Sequence, residues 1–380
     1  MRLIHTSDWH LGRYFHGVHL TDDQAFVLDQ FCDVVKEVRP DAIVIAGDIY
    51  DRAVPPTDAV ALLDETLSKI LLDHRVPTIM IAGNHDSADR LHFGSRLLRR
   101  AGLYVYGVPS AEMRPLVLED AYGEVAFLPL TYAEPSLVRA TYGMDEVYGH
   151  EMAVQCMIDA MIPHVPKGAR SVAIAHAFLA GGIESESERP LSVGGTGSIS
   201  PKLFEPFSYT ALGHLHGPQK AGSDTVRYSG SLMKYSFSEV DQKKGVQLVE
   251  LAADGSVRTE LMPLTPRRDM CVIEGTFDAL MAGEGSDDYT AIRLLDKAPI
   301  LDAKGRLEQK FPHLLQLERA CFMPQETREA PAADHKKMSE ADRFAVFFEA
   351  MTGEKMTDEQ TVCLTETIDE LYQDEREVRS

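Results

Sequence analysis

Residues 79–87, which read Ile-Met-Ile-Ala-Gly-Asn-His-Asp-Ser, decide the fold of this chain. The apolar first half of the stretch is typical of a buried strand in a parallel sheet. The run stops at Gly83, and Asn84 and His85 follow at once. In open α/β sheets, ligands bind in the crevice beyond the carboxyl ends of the strands. The sequence therefore places these two polar side chains where a functional site is expected.

Four other apolar runs end in the same way, in residues of the types that bind metal ions. The runs cover residues 3–7, 42–47, 172–175 and 209–213, and the residues after them are Asp8 and His10, Asp48, His176, and His214 and His216. A single Asp-x-His or His-x-His pair is usually incidental, because alternate residues of a strand share a face for packing reasons. Five such runs in one chain exceed what packing explains, so we predict that these residues form one site.

The size and composition of the chain indicate a globular protein of two or three domains. It has 380 residues, of which 44% are hydrophobic. No apolar run reaches the about 18 residues that a membrane span needs, and no signal-peptide pattern precedes the strand that starts at Arg2. The cysteines are odd in number and widely spaced, which is typical of reduced thiols. We expect a cytoplasmic protein with no membrane contact.

The net charge limits how the chain could contact nucleic acid. The formal charge is −21, so the surface as a whole would repel a polyanion, and any DNA contact needs a local basic or metal-rich patch. The chain also has no G-x-x-x-x-G-K-[ST] motif, since the glycine-rich residues 194–198 are followed by Ile199 rather than by a lysine. The chain therefore cannot bind ATP through a P-loop.

The pattern of apolar residues divides the chain into three parts. Residues 1–264 alternate strands with amphipathic helices, which predicts an α/β domain. Residues 265–323 are typical of a small α+β domain, and residues 335–380 of two short helices. The segment 179–200, rich in Gly, Ser and Glu, is interpreted either as a lid near the site or as a simple linker.

Three helix starts are predicted from capping residues. The four residues from Thr21 to Gln24 have the form of a capping box, as do the four from Thr357 to Gln360, and Ser339 is a candidate N-cap. The last two helices carry apolar stripes formed by Phe344, Phe347, Phe348, Leu364, Ile368 and Leu371. Two short helices cannot bury both stripes by themselves. We therefore expect a partner to cover them, with docking on the chain's own core as the alternative.

Taken in order, the site motifs resemble the signature of the calcineurin-like metallophosphoesterases. The motifs are Asp8-x-His10, Gly47-Asp48, Gly83-Asn84-His85, His176 and Gly213-His214-x-His216. The resemblance implies an α/β fold in which a β-sandwich is flanked by helices. It also implies two divalent metal ions, about 3.5–4 Å apart, that hold a phosphate and activate a water molecule.

One carboxylate has to bridge the two ions, and we expect it to be Asp48. The ligands of one ion would be completed by Asp8, His10 and His216, and those of the other by Asn84, His176 and His214. Mixed oxygen and imidazole ligands favour Mn, Fe or Zn over Mg, and Mn is our prediction. His85 is not needed as a ligand. It is a candidate general acid or hydrogen-bond donor to the phosphate, unless it is a structural histidine.

A narrower resemblance is carried by residues 1–12, 47–52 and 83–87, which read MRLIHTSDWHLG, GDIYDR and GNHDS. They are similar to the SbcD nuclease subunits of SbcCD complexes. The resemblance implies double-strand exonuclease and single-strand endonuclease activity in DNA repair, recombination and replication. It implies that 265–323 is a capping domain and that 335–380 binds the coiled coil of an SbcC-type, SMC-like ATPase. It also implies a homodimer of the nuclease subunit within a heterotetramer.

The chain departs from the archaeal and eukaryotic relatives of that family at one position. Those relatives have a histidine three positions after the bridging aspartate, where this chain has Asp51. A carboxylate cannot donate a proton as an imidazolium does, so a second acid histidine is not expected. The neighbouring Arg52 could contact a phosphate, or could form an ordinary surface pair with Asp51.

Candidate DNA contacts lie in the loops that border the predicted site. Besides Arg52, they are Arg13, Tyr14 and His16 after the first ligand pair, and Arg90 and His92 after the third motif. A single arginine is a common surface residue. Because these residues share a position near the site, we expect them to contact the DNA backbone.

Three functions compete for this sequence. The first is a metal-dependent DNA nuclease, the second is a phosphatase or small-substrate phosphodiesterase on the same fold, and the third is a noncatalytic scaffold that has kept the fold. A scaffold would be expected to have lost ligand residues. This chain keeps all seven, which favours an enzyme.

Overall fold

The computed structural model describes residues 1–191, 197–319, 340–352, 355–365 and 367–368. Its strands are β1 (Arg2–Thr6), β2 (Tyr14–Phe15), β3 (Val18–His19), β4 (Ala42–Ala46), β5 (Thr78–Ile81), β6 (Leu103–Tyr106), β7 (Leu116–Asp120), β8 (Gly123–Leu130), β9 (Arg170–His176), β10 (Phe178–Leu179), β11 (Ser198–Ile199), β12 (Tyr209–Gly213), β13 (Gln219–Ala221), β14 (Ser223–Tyr228), β15 (Gly245–Leu251), β16 (Val257–Pro263), β17 (Met270–Gly275), β18 (Tyr289–Leu294) and β19 (Leu314–Arg319). Its α-helices are α1 (Thr21–Val38), α2 (Thr57–Ser68), α3 (Ala88–His92), α4 (Ser95–Leu98), α5 (Pro135–Tyr142), α6 (His150–Met161), α7 (Phe277–Ala282), α8 (Ala303–Leu307) and α9 (Glu340–Thr352).

Two six-stranded sheets build the first compact unit, Met1–Cys271. The first sheet has the strand order β16-β15-β1-β4-β5-β6, and its strands β1, β4, β5 and β6 run parallel to their neighbours. The second has the order β13-β14-β12-β9-β8-β7, with β8, β9, β12 and β14 parallel. Antiparallel strands close the edges β15–β16, β13 and β7.

The first sheet is buried on both faces, which explains why its strands are continuous apolar runs. Val44 and Ile79 point into the core between the two sheets, together with Phe127 and Ala211 of the second sheet. The alternate residues, such as Ile43, belong to a separate core on the outer face. There the apolar stripes of α1 and α2 cover the sheet. The predicted sandwich with flanking helices is therefore confirmed.

The predicted capping box from Thr21 to Gln24 is wrong. α1 begins at Thr21 itself, and no side chain caps its first turn. The Thr21 hydroxyl is 2.9 Å from His19 Nε2, while Gln24 is buried and turns away from the helix. Gln24 Nε2 donates to the carbonyls of Trp9 and His10 at 3.1 and 2.8 Å. Tertiary partners outweigh the local capping rule at this position.

The second compact unit, Val272–Ser380, contains a three-stranded sheet with the order β17-β18-β19. β18 and β19 are parallel. Helices α7 and α8 contribute Phe277, Leu280 and Leu307 to a small core with Ile292 of β18. This is the mixture of short helices and strands that the sequence predicts for the region.

The C-terminal part of this unit is helical where it is described. α9 presents Phe344 and Phe347 to solvent, 43% and 58% exposed. Residues 358–365 form a further helix. Its predicted capping box is confirmed, since Thr357 N–H donates to Gln360 Oε1 at 2.9 Å and Gln360 N–H donates to Thr357 Oγ1 at 3.3 Å. The predicted cap Ser339 and the stripe residue Leu371 lie outside the described residues.

No helix within the described ranges is both long enough and apolar enough to cross a membrane.

Candidate metal centre

The seven residues predicted as metal ligands follow strand ends in both sheets of the sandwich. Asp8 and His10 follow β1, Asp48 follows β4, Asn84 follows β5, His176 ends β9, and His214 and His216 follow β12. All except the partly exposed Asn84 are buried, with at most 3% of the residue exposed. Polar residues in such positions are rarely so deeply buried unless they pair with one another or coordinate a metal.

The structure brings together the first predicted ligand set. Asp8, His10 and His216 each offer a ligand atom, and these atoms lie within 4.8 Å of one another. The Nε2 atoms of His10 and His216 are 3.0 Å apart. Asp8 reaches this position from the first sheet, and both of its carboxylate oxygens accept the His214 N–H, at 3.0 and 3.1 Å.

Asp48 lies between histidines of the two predicted sets. Its Oδ2 atom is 3.7 Å from His10 Nε2 and 3.4 Å from His176 Nε2. Asp8, Asp48 and His176 also form a group with ligand atoms within 4.8 Å. Asn84 completes this side, with its Oδ1 atom 2.9 Å from His176 Nε2. Asp48 thus lies within reach of residues from both predicted sets, whereas His214 is not part of this group.

The surroundings of His176 favour positive charge on its ring. The Ala46 carbonyl only accepts, so His176 Nδ1 donates to it, at 2.9 Å, and His176 Nε2 faces the oxygens of Asn84 and Asp48. Burial alone would lower the pKa of His176, but the Asp48 carboxylate outweighs burial and the pKa is raised to about 9. A proton or a metal ion at this position satisfies the converging lone pairs.

A second observation also fits a metal. His214 Nε2 is buried and has no hydrogen-bond partner among the residues that the structure describes. An unpartnered imidazole nitrogen inside a protein is costly unless an ion or a water molecule meets it. Together with the two carboxylates, this nitrogen makes the residues present a suitable donor set for divalent metal ions of the Mn, Fe or Zn type.

Four of the seven candidate ligands have left-handed backbones. The φ angles are 53° for Asp8, 45° for His10, 52° for Asp48 and 107° for His214. Residues with a Cβ adopt this region at a cost of about 1–3 kcal/mol each. Backbone bonds hold the turns, with Asp8 N–H donating to Gly47 O and His10 N–H to Asp48 O, both at 3.0 Å. The chain thus turns sharply after β1, β4 and β12 and aims the next side chain into the site.

Two glycines allow the strand ends to come this close. A Cβ on Gly83 would overlap the Asp48 carboxylate, and a Cβ on Gly213 would overlap the Ala46 carbonyl. Gly213 belongs to the second sheet and Ala46 to the first. The absence of a side chain therefore lets the two sheets meet at the site.

His85 lies beside the candidate ligands and is 5% exposed. Its backbone N–H donates to Asp48 Oδ1 at 2.8 Å, and its Nδ1 donates to the Asp51 carbonyl at 2.8 Å. Burial lowers the pKa of the ring, so the neutral form predominates. In that form Nε2 carries a lone pair, 3.9 Å from Asp48 Oδ2, and becomes a donor only when the ring takes a second proton.

Asp51 belongs to the site rather than to an ordinary surface pair with Arg52. Its carboxylate is 3.1 Å from Arg13 Nη1 and 3.6 Å from His10 Nδ1, whereas Arg52 Nη2 is 4.0 Å away. The side chains of Arg13 and Asp51 are only 14% and 16% exposed. Asp51 also forms a group with His10 and His85, with ligand atoms within 4.8 Å.

Of the residues predicted to contact DNA, some have exposed side chains and others are already bound to neighbouring residues of the chain. Tyr14, His16, Arg52 and Arg90 are exposed, and Arg52 lies over the Tyr14 ring, 5.7 Å from its centroid. Arg13 is engaged by Asp51, as described above. His92 is exposed, but both of its ring nitrogens contact nearby residues of the chain. Its Nδ1 accepts the Gly107 N–H at 3.3 Å, and its Nε2 lies 3.2 Å from Ser95 Oγ.

Several residues that support the site were missed by sequence reasoning. Asp86 accepts the N–H groups of Ile49, Tyr50 and Gly83, at 3.1, 2.9 and 2.9 Å, and so ties the Asp48 loop to the Asn84 loop. Its position next to His85 was a usable signal. Gln24 holds the Trp9–His10 turn, but the sequence pattern around it indicates only a helix cap.

Comparison with known proteins gives matches along most of the chain. Residues 1–217 match the family model described as calcineurin-like phosphoesterase, and residues 266–352 match the one described as type 5 capsule protein repressor C-terminal domain. The SbcD subunit of nuclease SbcCD from Staphylococcus saprophyticus subsp. saprophyticus is 33% identical over 365 residues, 95% of this chain and 96% of that protein. The crystal structure of TT1561 of Thermus thermophilus aligns with 68% of this chain and 98% of its own at 15% identity, with a TM-score of 0.39.

Proposed function

Because this chain belongs to the calcineurin-like phosphoesterases, and within them to the family of SbcD nuclease subunits, we propose that it is a metal-dependent DNA nuclease that hydrolyses phosphodiester bonds. The observation that carries the proposal is the buried cluster of carboxylates and imidazoles contributed by both sheets. Its activities would be double-strand exonuclease and single-strand endonuclease, in DNA repair and recombination. Nothing in the cluster favours a scaffold, since all seven candidate ligands are present.

The proposed roles follow the geometry of the cluster. Asp48 would bridge the two metals, Asp8, His10 and His216 would complete one ligand set, and Asn84, His176 and His214 would complete the other. Two divalent ions, which we propose to be Mn, would supply a water of lowered pKa and neutralise charge on the phosphate.

His85 is the proposed general acid. The Asp51 carbonyl fixes its ring through Nδ1, which leaves Nε2 as the only nitrogen that can exchange a proton with a substrate. A bound phosphodiester brings negative charge to a ring that is otherwise kept neutral by burial. That charge favours the imidazolium, so the proton is available at Nε2 when the leaving oxygen needs it.

The exposed residues near the site are the proposed DNA contacts. Tyr14, His16, Arg52 and Arg90 present side chains to solvent. Arg52, whose side chain is 50% exposed, adds positive charge to a chain that is acidic overall. Because phosphate contacts position DNA without reading its sequence, these residues would hold a strand without base preference.

Substrate preference tests the proposal against the phosphatase alternative. With Mn present, we expect the protein to hydrolyse an aryl phosphodiester faster than the matching monoester, because a nuclease site must accept a phosphate with two ester groups. Steady-state kcat/KM on both compounds measures the preference. A strong preference for the monoester would show that the protein is a phosphatase.

Metal content separates the proposed roles of Asp48 and His85. We expect Asp48→Ala to lose both ions and all activity, since a bridge serves both sites. We expect His85→Ala to keep its metal and to lose about 10²–10⁴-fold in turnover, which is typical of a missing general acid. Elemental analysis and diester kinetics measure both effects, with Asp89→Ala, an exposed carboxylate on α3, as the matched control. If His85→Ala lost metal as fully as Asp48→Ala, the division of roles would be wrong.

A three-part organisation is proposed for partner binding. Residues 1–264 would form the nuclease domain, 265–323 the capping domain and 335–380 the segment that binds the coiled coil of an SbcC-type, SMC-like ATPase. Two observations support the last assignment. The helix α9 leaves two phenylalanines largely exposed, and the matched relative is named as a subunit of a complex. An exposed pair of aromatic residues at helical spacing is typical of a surface that docks another helix.

Substitution of the exposed phenylalanines tests this assignment. We expect Phe344→Glu combined with Phe347→Glu to abolish binding of the ATPase subunit, measured by calorimetry, while diester hydrolysis is kept. Leu301→Glu is the matched control, because Leu301 is 91% exposed and lies outside α9. Retained binding by the double variant would refute the proposal.

A homodimer of the nuclease subunit, within a heterotetramer, is also proposed. Phe93, between α3 and α4, and Leu97 of α4 are 85% and 77% exposed. Exposed apolar patches mark protein interfaces, and these two side chains lie within one short stretch of the chain. We expect sedimentation to show a dimer for the native chain and a monomer for Phe93→Ser combined with Leu97→Ser. Leu72→Ser, at an equally apolar position that is 66% exposed, should stay dimeric. A native monomer would exclude the homodimer.

A cytoplasmic location remains a prediction. It is supported by the cysteines at positions 32, 156 and 363, which are not joined in disulfides in the described part of the chain. Reduced thiols are typical of a reducing compartment.

A further inference from the structure

Ser187 connects a candidate metal ligand to a buried carboxylate. It lies in the segment between β10 and β11 and is 8% exposed. Its Oγ atom is 2.6 Å from His216 Nδ1 and 2.5 Å from Glu239 Oε1. The direct distance from His216 Nδ1 to Glu239 Oε1 is 3.7 Å, too long for a hydrogen bond. The serine hydroxyl is therefore the link between the two residues.

Glu239 is ionised in this environment. It is fully buried, and its Oε2 atom is 2.6 Å from the Lys244 ammonium. The Ser236 hydroxyl donates to Oε1 at 2.9 Å and the Tyr235 N–H donates to Oε2 at 3.3 Å. Lys244 in turn donates to the His216 carbonyl at 2.7 Å. A carboxylate surrounded by a cation and two donors accepts hydrogen bonds and donates none.

When the His216 ring is neutral, the donors and acceptors leave one arrangement of protons. Ser187 has a single hydroxyl proton. Because the Glu239 carboxylate can only accept, the Ser187 hydroxyl donates this proton in a hydrogen bond to Glu239 Oε1. The Ser187 oxygen must then accept from His216, so the imidazole proton lies on Nδ1. The lone pair of His216 is left on Nε2, which faces His10 Nε2 at 3.0 Å inside the site. This is the tautomer that a metal ligand binding through Nε2 requires.

The same segment also fixes the backbone of His216. The carboxylate of Glu188, next to Ser187, accepts the His216 N–H at 2.7 Å. The backbone of Ser187 is held in turn by Arg13, whose Nη2 donates to the Ser187 carbonyl at 3.3 Å. Ring, backbone and tautomer of His216 are thus all held by residues outside the ligand set.

We propose that Ser187 is a positioning residue, which relays the buried Glu239 carboxylate to His216 and thereby prepares His216 Nε2 to bind a metal ion. The proposal rests on the ligand role assigned to His216 above and adds a function for the segment between β10 and β11. Outer partners of this kind typically contribute about 10–100-fold to metal affinity.

The first test needs no substitution. Nitrogen chemical shifts of the His216 ring, recorded by NMR on the metal-free protein labelled with ¹⁵N-histidine, report which ring nitrogen carries the proton. We expect a proton on Nδ1 and none on Nε2. A proton on Nε2 alone would overturn the relay, whatever the protein's substrate proves to be.

The second test measures Mn affinity by calorimetry. We expect Ser187→Ala to bind Mn about 10–100-fold less tightly at the position that includes His216, and Ser187→Thr, which keeps the hydroxyl, to recover most of the loss. Ser236→Ala is the matched control, because Ser236 donates to the same Glu239 oxygen without contacting His216, and its affinity should stay near that of the native chain. Native affinity in Ser187→Ala would overturn the proposal. If the native chain bound no Mn, the ligand assignment would fail, and the NMR result would still decide whether the relay exists.

Discussion

The close approach of two sheets at Gly213 and Ala46 is the constraint on which the site depends. A side chain at Gly213 would overlap the Ala46 carbonyl, and the same carbonyl accepts the Nδ1 proton of His176. The first sheet supplies both aspartates, and the second supplies three of the histidines. Asp8 accepts the His214 N–H across the junction. The sandwich therefore does more than bury a core, because it joins a half-site that carries both carboxylates to one that carries three imidazoles.

The junction of the two sheets also buries negative charge. Two carboxylates are buried here, and burial raises the pKa of Asp8 to about 6. Burying charged groups is costly unless opposite charge accompanies them. His176 beside Asp48 can supply that charge as a proton, and divalent ions would supply more of it. The chemistry of the site thus follows from the need to neutralise carboxylates that the fold has removed from solvent.

Much of this arrangement could be predicted from the sequence, because strand ends leave a local pattern. Apolar runs that stop at a polar residue identified all seven candidate ligands and the α/β fold. What remained hidden depends on contacts between distant residues. Gln24 fitted a capping rule but is held by Trp9 and His10, and Glu239 carries no local mark of its link to Ser187. The segment that contains Ser187 could equally be interpreted as a linker, since its composition does not show which side chains turn inward.

The left-handed turns at Asp8, His10, Asp48 and His214 also affect how such a chain can evolve. Each turn stores strain of about 1–3 kcal/mol that glycine would relieve. Glycine at any of the four would relax the turn but remove a side chain that the site uses, and at Asp8 and Asp48 it would also remove the acceptor of the His214 and His85 N–H groups. The architecture thus sets backbone ease against function at these positions. In a descendant that had lost catalysis, glycine would no longer be excluded at these four turns, so we expect such a chain to show it there first.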